Sequence, residues 1–272
     1  MSAPMRIGLA GFGNVGQDLA RRLTAGAIPE ARLVAVSATD LVKAAGNAAR
    51  ISADIKVVPL AELPQHADTI VECATADAFP EIARVAMGAG RILVAVSVGG
   101  LPNCPELIEL AEKHGGRVKI ASGALPGLDI IRSAKEGTIR RVKLTTKLRP
   151  NSLAHEPYIK AKGFDFTTPP PVAVKVFEGS AGEAAASFPR HFNVAVTLSL
   201  GGIGFDRTEV EVWCDPTVPG AVHQVDVDAE DVNLTLISRN SPSPTNPRTS
   251  RIVSPSILAA LRGLLAPIQV GS

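Results

Sequence analysis

MRIGLAGFGNVG, residues 5–16, is the stretch whose reading decides the fold. Ile7, Leu9 and Ala10 form a short apolar run, Gly11, Gly13 and Gly16 follow at once, and Leu19, Ala20 and Leu23 continue at helical spacing. The pattern predicts a strand, a tight glycine turn and a helix start. In such a turn the first glycine permits the bend, the second admits a pyrophosphate to the main chain, and the third lets helix and strand pack closely. The N–H groups of the helix start then face the phosphates. An ordinary glycine turn is the bland alternative. The order strand, turn, helix within one unit favours a dinucleotide, cradled by Gly11, Phe12, Gly13, Asn14, Val15 and Gly16.

Outward from this stretch, 272 residues favour two domains or one large one with ample core. The formal net charge is +2, from nearly balanced acids and bases without a long basic run, which argues against nucleic acid as a partner. Trp213 and Tyr158 are the only aromatics beside the phenylalanines, too few for a base-stacking surface. Apolar segments are broken before membrane-spanning length, and the N-terminus lacks a leader pattern, so the expectation is a soluble cytoplasmic protein with no membrane partner. Cys73, Cys104 and Cys214 are an odd number in apolar surroundings and read as free buried thiols. No CxxC pair or clustered His and Cys spacing occurs, so no metal is assigned.

Along the chain, residues 32–36 read as a second strand buried on both faces, ending at Ser37-Ala38-Thr39-Asp40. An acidic side chain near this point holds the ribose of NAD. Here Ser37, Thr39 and the nearby Lys43 suit a 2′-phosphate as well, and the choice between NAD and NADP stays open. A helix over 41–53, a short strand over 56–59, a firm strand over 69–74, a helix over 79–87, a strand over 91–96, a helix over 107–114 and a strand over 118–121 follow. This alternation with short connections predicts a doubly wound parallel sheet with helices on both faces. Ala74 and Thr75, and Ser97 in the next exit loop, then fall on the carboxyl edge where ligands bind.

The rhythm changes at residues 122–127. A helix over 128–134, alternating strands over 141–148, 172–178, 209–214, 222–227 and 233–238, and helical passages over 181–187 and 188–200 predict an α+β domain with a mostly antiparallel sheet. Residues 151–171, rich in proline, read as a long excursion, a lid or an interface arm. A last helix spans 255–265. The expected division is 1–122 with 243–272, and 123–242.

The segments GLAGFGNVG (8–16), VSVGGL (96–101), ASGALPGLD (121–129), FPRHFNVAVTLSL (188–200), CDPTVPGAVHQV (214–225) and NPRTSRIVSPSILAALR (246–262) carry, in order and spacing, a resemblance to the L-aspartate dehydrogenase family that runs nearly end to end. The resemblance implies a Rossmann domain that the last helix rejoins, and an α+β domain bearing substrate and dimer contacts. It implies oxidation of L-aspartate with NAD or NADP to iminoaspartate, which hydrolyses to oxaloacetate and ammonia, together with the reverse reductive amination. It also implies a catalytic role for His223 and nicotinamide-side contacts at Ala124 and Asn193. Two departures stand out. Ala221 replaces an asparagine found two residues before this histidine in many members, and Asp228-Ala229-Glu230-Asp231 replaces a glycine and aromatic turn.

The chemistry needs a group able to accept protons near neutrality, which histidine supplies without tuning. His223 is one of five histidines, and on the outward face of an alternating strand it would be unremarkable. His191, beside Arg190 and two residues before Asn193, is its rival; His155 lies in the excursion, and His66 and His114 in remote connections. A dicarboxylate needs cations or N–H donors. Lys147, Arg190, His191 and the turn carrying Asn246, Thr249 and Ser250 are the candidates; Lys147 is equally readable as a solvent-facing strand residue, and the turn as a helix cap. Cys73 has no histidine near it and reads as structural. A reductase for another imino or keto acid, or a non-catalytic dinucleotide-binding protein, are the competing readings, and a homodimer is the expected assembly.

Overall fold

The computed structural model describes residues 3–188, 192–244 and 249–271. The chain forms two compact units, one running to Ala121 and including Ser254–Gln269, the other comprising Ser122–Val253 with the extreme C-terminus.

In the first unit, β1 (Met5–Ala10), β2 (Ala31–Ser37), β3 (Lys56–Val57), β4 (Thr69–Glu72), β5 (Ile92–Ala95) and β6 (Arg117–Ile120) form one sheet. Its order is β3-β2-β1-β4-β5-β6 and every pairing is parallel. Between the strands run α1 (Asn14–Thr24), α2 (Leu41–Ala49), the short α3 (Leu63–His66), α4 (Phe79–Gly88) and α5 (Glu106–His114). The strands are apolar because helices cover both faces: Ile7, Leu9, Ile70, Val71, Leu93 and Val94 are all fully buried. Strand order reverses between β1 and β4, which makes the space beyond their carboxyl ends the switch-point crevice of the sheet. The last helix, α11 (Val253–Leu265), buries Ile257 and Leu261, and Arg262 donates to the Ala27 carbonyl after α1.

The second unit contains α6 (Leu128–Lys135), β7 (Ile139–Leu148), α7 (Pro150–Leu153), α8 (Pro157–Ala161), β8 (Val174–Ser180), α9 (Ala181–Ser187), α10 (Asn193–Gly201), β9 (Thr208–Cys214), β10 (Val222–Ala229) and β11 (Asn233–Arg239). Its five strands lie in the order β11-β10-β7-β9-β8. All pairs are antiparallel except β7 with β9, which is parallel. Val142, Leu144, Val210, Val212, Val225 and Val227 alternate inward and build one core with the helices. Ser180 and Glu183 satisfy each other's backbone N–H groups at the start of α9, a capping box written in the sequence as Ser-Ala-Gly-Glu. The helix α10 is buried along Val194–Ser199, which explains its nearly uniform apolar composition.

Two sequence expectations change. The 151–171 excursion is not structureless: α7 and α8 begin at Pro150 and Pro157, where proline starts a helix, and Leu153, Ile159 and Phe166 are buried in the core. The helix expected over 188–200 begins only at Asn193, and Phe188 instead closes α9.

Phe188 is fully buried, with ring centroids 4.8 Å from Tyr158, 5.1 Å from Phe192 and 5.7 Å from Phe177. Phe188→Ala empties the centre of this cluster and is expected to cost about 3–5 kcal/mol in urea unfolding. A loss below about 1 kcal/mol would show that the cluster does not hold the second unit together.

Candidate functional site

The Gly11–Gly16 turn is packed from behind and open in front. Gly11 has φ +101°, and a Cβ there would stand 2.6 Å from the Cys73 carbonyl carbon and oxygen and 2.7 Å from the Ala74 nitrogen. A Cβ on Gly16 would stand 2.3 Å from the Gly11 oxygen, so helix and turn touch backbone to backbone. Gly13 differs: a Cβ there would meet nothing within 4 Å. Gly13 is also the N-cap of α1, and with no side chain of its own it leaves the helix start uncapped by a side-chain bond. An open glycine at an uncapped helix start is what a pyrophosphate requires, so the residues present fit a dinucleotide. Asn14 is exposed, Val15 half-buried and Phe12 buried, its carbonyl taken by the Gln17 side chain.

Ser37 is buried, and its carbonyl accepts the Gly11 N–H at 2.9 Å, so it shapes the turn from below. Asp40 caps α2 by accepting the Lys43 N–H at 2.9 Å. Across the switch point, Ala74 and Ser97 are tied together, the Ser97 hydroxyl donating to the Ala74 carbonyl at 3.0 Å. Thr75 is exposed. Burial, and then the Glu72 carboxylate, hold the Cys73 thiol well above its ordinary range, which leaves it inert as a nucleophile.

In the second unit the sheet register builds a polar cluster inside an apolar core. His223 of β10 pairs across to Thr146 of β7 on one side and Ser238 of β11 on the other. It faces inward with Val225 and Val227 and is only 5% exposed, so the reading of an unremarkable outward histidine does not apply. Thr146 Oγ1 lies 3.1 Å from His223 Nδ1, which leaves Nε2 for proton exchange. The Ser238 hydroxyl donates to the Ala124 carbonyl at 2.8 Å and accepts from the Asn240 amide at 3.0 Å. The fold thus joins Ala124 to the surroundings of His223 through Ser238. Thr146, Ser238 and Asn240 escaped the sequence reading because only strand register reveals them.

Asn193 is the first residue of α10 and half-buried. Lys147 follows Thr146 on β7 and therefore projects to the opposite face of the sheet from His223, where it pairs with Asp215 at 3.6 Å. Thr249 and Ser250 close a loop on β-bridge geometry: the Ser243 N–H bonds the Thr249 carbonyl at 2.7 Å, and Ser250 bridges to Pro242. His191, Arg190 and Asn246 lie outside the described residues. His155 and His114 are exposed. Among the described residues no group of three or more His, Cys, Asp and Glu could hold a metal ion, and no helix is long and apolar enough to cross a membrane.

Burial drives the His223 imidazole down from 6.5 to about 4, so it is neutral at pH 7. The unfolded chain takes up this proton near pH 6.5 and the folded chain does not until near 4, so stability is lost as pH falls through that window. Urea unfolding at pH 7 and pH 4.5 is expected to show the parent losing about 2–3 kcal/mol more than His223→Gln. Equal losses would mean that the imidazole is not held neutral.

Comparison with known proteins gives this geometry a family. The family described as aspartate dehydrogenase, C-terminal, matches residues 129–264, and the homoserine dehydrogenase NAD binding domain family matches residues 11–121. L-aspartate dehydrogenase 3 of Bordetella bronchiseptica is 39% identical, over 98% of this chain and 97% of that protein. L-aspartate dehydrogenase of Bradyrhizobium diazoefficiens is 38% identical, over 100% of this chain and 95% of that one. The crystal structure of aspartate dehydrogenase from Thermotoga maritima shares the fold, with a TM-score of 0.71 at 22% identity, covering 98% and 99% of the two chains. With full-length relatives at this identity and a matching family over its C-terminal half, the chain belongs to the aspartate dehydrogenase family.

Proposed function

We propose that this chain is an NAD(P)-dependent L-aspartate dehydrogenase that also runs the reductive amination. The observation that carries the reading is a buried, neutral His223 held by Thr146 within a chain of this family. The chemistry a bound NAD(P)+ would supply is acceptance of the hydride from Cα of L-aspartate, the iminoaspartate so formed being hydrolysed to oxaloacetate and ammonia. Gly11–Gly16 and the α1 N–H groups would hold the pyrophosphate, with Ala74, Thr75 and Ser97 at the facing strand ends.

The imidazole is the chain's proton acceptor. The ammonium of aspartate must lose a proton before hydride can leave, and a neutral Nε2 can take it. Once that proton has passed to solvent, the neutral ring can take a proton from the water that adds to the imine. An imidazole at about 4 is a weak base in the empty site. Two substrate carboxylates nearby favour its charged form and bring it closer to neutrality, because opposite charges stabilise ionisation. Thr146 keeps the ring in one orientation throughout. The family resemblance assigns nicotinamide-side contacts to Ala124 and Asn193, and the Thr249–Ser250 turn is the candidate donor set for a substrate carboxylate. A cytoplasmic homodimer is the assembly we propose with this reading, on the strength of the family alone; light scattering that finds only monomer removes it.

Incubating the purified chain with L-aspartate and NAD or NADP is expected to produce NAD(P)H, with other amino acids much slower. No NADH or NADPH from aspartate with either cofactor sinks the reading. His223→Ala is expected to lower kcat by about 10²–10⁴, and full turnover would remove its catalytic role. Gly13→Ala puts a methyl into open space, so unfolding should be unaffected while the cofactor KM rises several-fold; an unchanged KM would displace the pyrophosphate from this turn.

A further inference from the structure

Glu72, the last residue of β4, is completely buried and plays no part in the chemistry above. One carboxylate oxygen, Oε1, accepts the Ala74 N–H at 2.7 Å. The other, Oε2, accepts the Val96 N–H at 3.1 Å and the Ser97 N–H at 2.7 Å. The Ser97 hydroxyl closes the ring of bonds by donating to the Ala74 carbonyl. These N–H groups leave the strand ladder where β4 and β5 end, and a buried N–H requires an acceptor. A single carboxylate serves both exits at once, although burial raises its proton affinity against the pull of the N–H donors.

The position of this carboxylate gives it a purpose beyond local satisfaction. It sits at the switch point, and the peptide it fixes, Cys73–Ala74, is the one on which Gly11 lies too closely for any Cβ. Any movement of the Ala74 turn therefore moves the surface that supports the glycine turn. An apolar side chain of the same size would fill the space but release three donors.

We propose that Glu72 is a positioning residue for the cofactor. It locks the exits of β4 and β5, with Ala74, Thr75 and Ser97, into one ledge facing the glycine turn, without touching the cofactor itself. The inference rests on reading the first unit as a dinucleotide site, and it assigns the rigidity of that site to one buried side chain.

The test is calorimetric binding of NADH and NADPH to the purified full chain and to Glu72→Gln. The amide keeps one acceptor oxygen but turns an NH2 donor toward the remaining N–H groups, so it can hold one exit only. The Kd for the preferred cofactor is expected to rise about ten-fold, as the loss of a charge-assisted hydrogen bond implies. At saturating cofactor, kcat and the KM for aspartate should stay within about two-fold, because a ledge that only positions the cofactor adds nothing to the chemical step. An unchanged Kd in the folded variant overturns the proposal, as does a fall in kcat with Kd unchanged. Should Glu72→Gln not fold, amide exchange in the parent decides. The Ala74, Val96 and Ser97 amides should exchange more slowly when NADPH or NADH binds, and no change refutes the ledge. A parent that binds cofactor but does not oxidise aspartate would remove the proposed function and leave this inference intact.

Discussion

The backbone of Gly11 lies against the Cys73–Ala74 peptide at a separation that no side chain can share. Contact this close requires a glycine in a conformation that other residues rarely adopt, a neighbouring strand that ends at the right residue, and something to hold that strand end in place. The first unit meets all three conditions. Parallel pairing of β1 with β4 aligns Ala10 with Glu72, and the Cys73 N–H continues the ladder to the Ala10 carbonyl. The buried carboxylate then fixes what comes next. The crevice at the switch point is therefore a consequence of strand order, edged by the hydrogen bonds of one buried carboxyl group and left open at one bare glycine, Gly13.

The second unit solves a different problem, which is to bury a histidine without ionising it. Its central strand β7 pairs with β10 on one side and β9 on the other, and the register puts Thr146, His223 and Ser238 side by side on the inner face. A slip of β10 by one residue would send His223 to the outer face, because strand side chains alternate with period two. The valines and leucines that flank this row fix the register, since their burial is lost with any slip. Charge stays on the outer face, where Arg141 pairs with Glu209 and Lys143 with Glu211. That division keeps ionised groups off the buried face, where loss of hydration holds the imidazole neutral.

Much of this was legible in the residues themselves. The glycine turn, the alternation of strand and helix and the alternating strands of the second unit are local patterns with fixed periods. The passage 151–171 misled because prolines at helix starts and prolines in loops look alike until their neighbours are seen to be buried. Helix α10 was placed early because its apolar pattern runs on from Phe188, which belongs to the end of α9.

By itself, then, the sequence determined the two kinds of sheet, the phosphate-type turn at Gly11–Gly16 and, through family likeness, the choice of His223. Only the tertiary structure decided that Thr146 and Ser238 flank His223, that Lys147 pairs with Asp215 on the other side of the sheet, and that Glu72 joins two strand exits. The physical reason is sequence separation. Thr146 and His223 are 77 residues apart, and Glu72 and Ser97 are 25. Periodicity within one segment records which side of a strand is apolar, whereas hydrogen bonds between distant segments exist only once register and strand order are set.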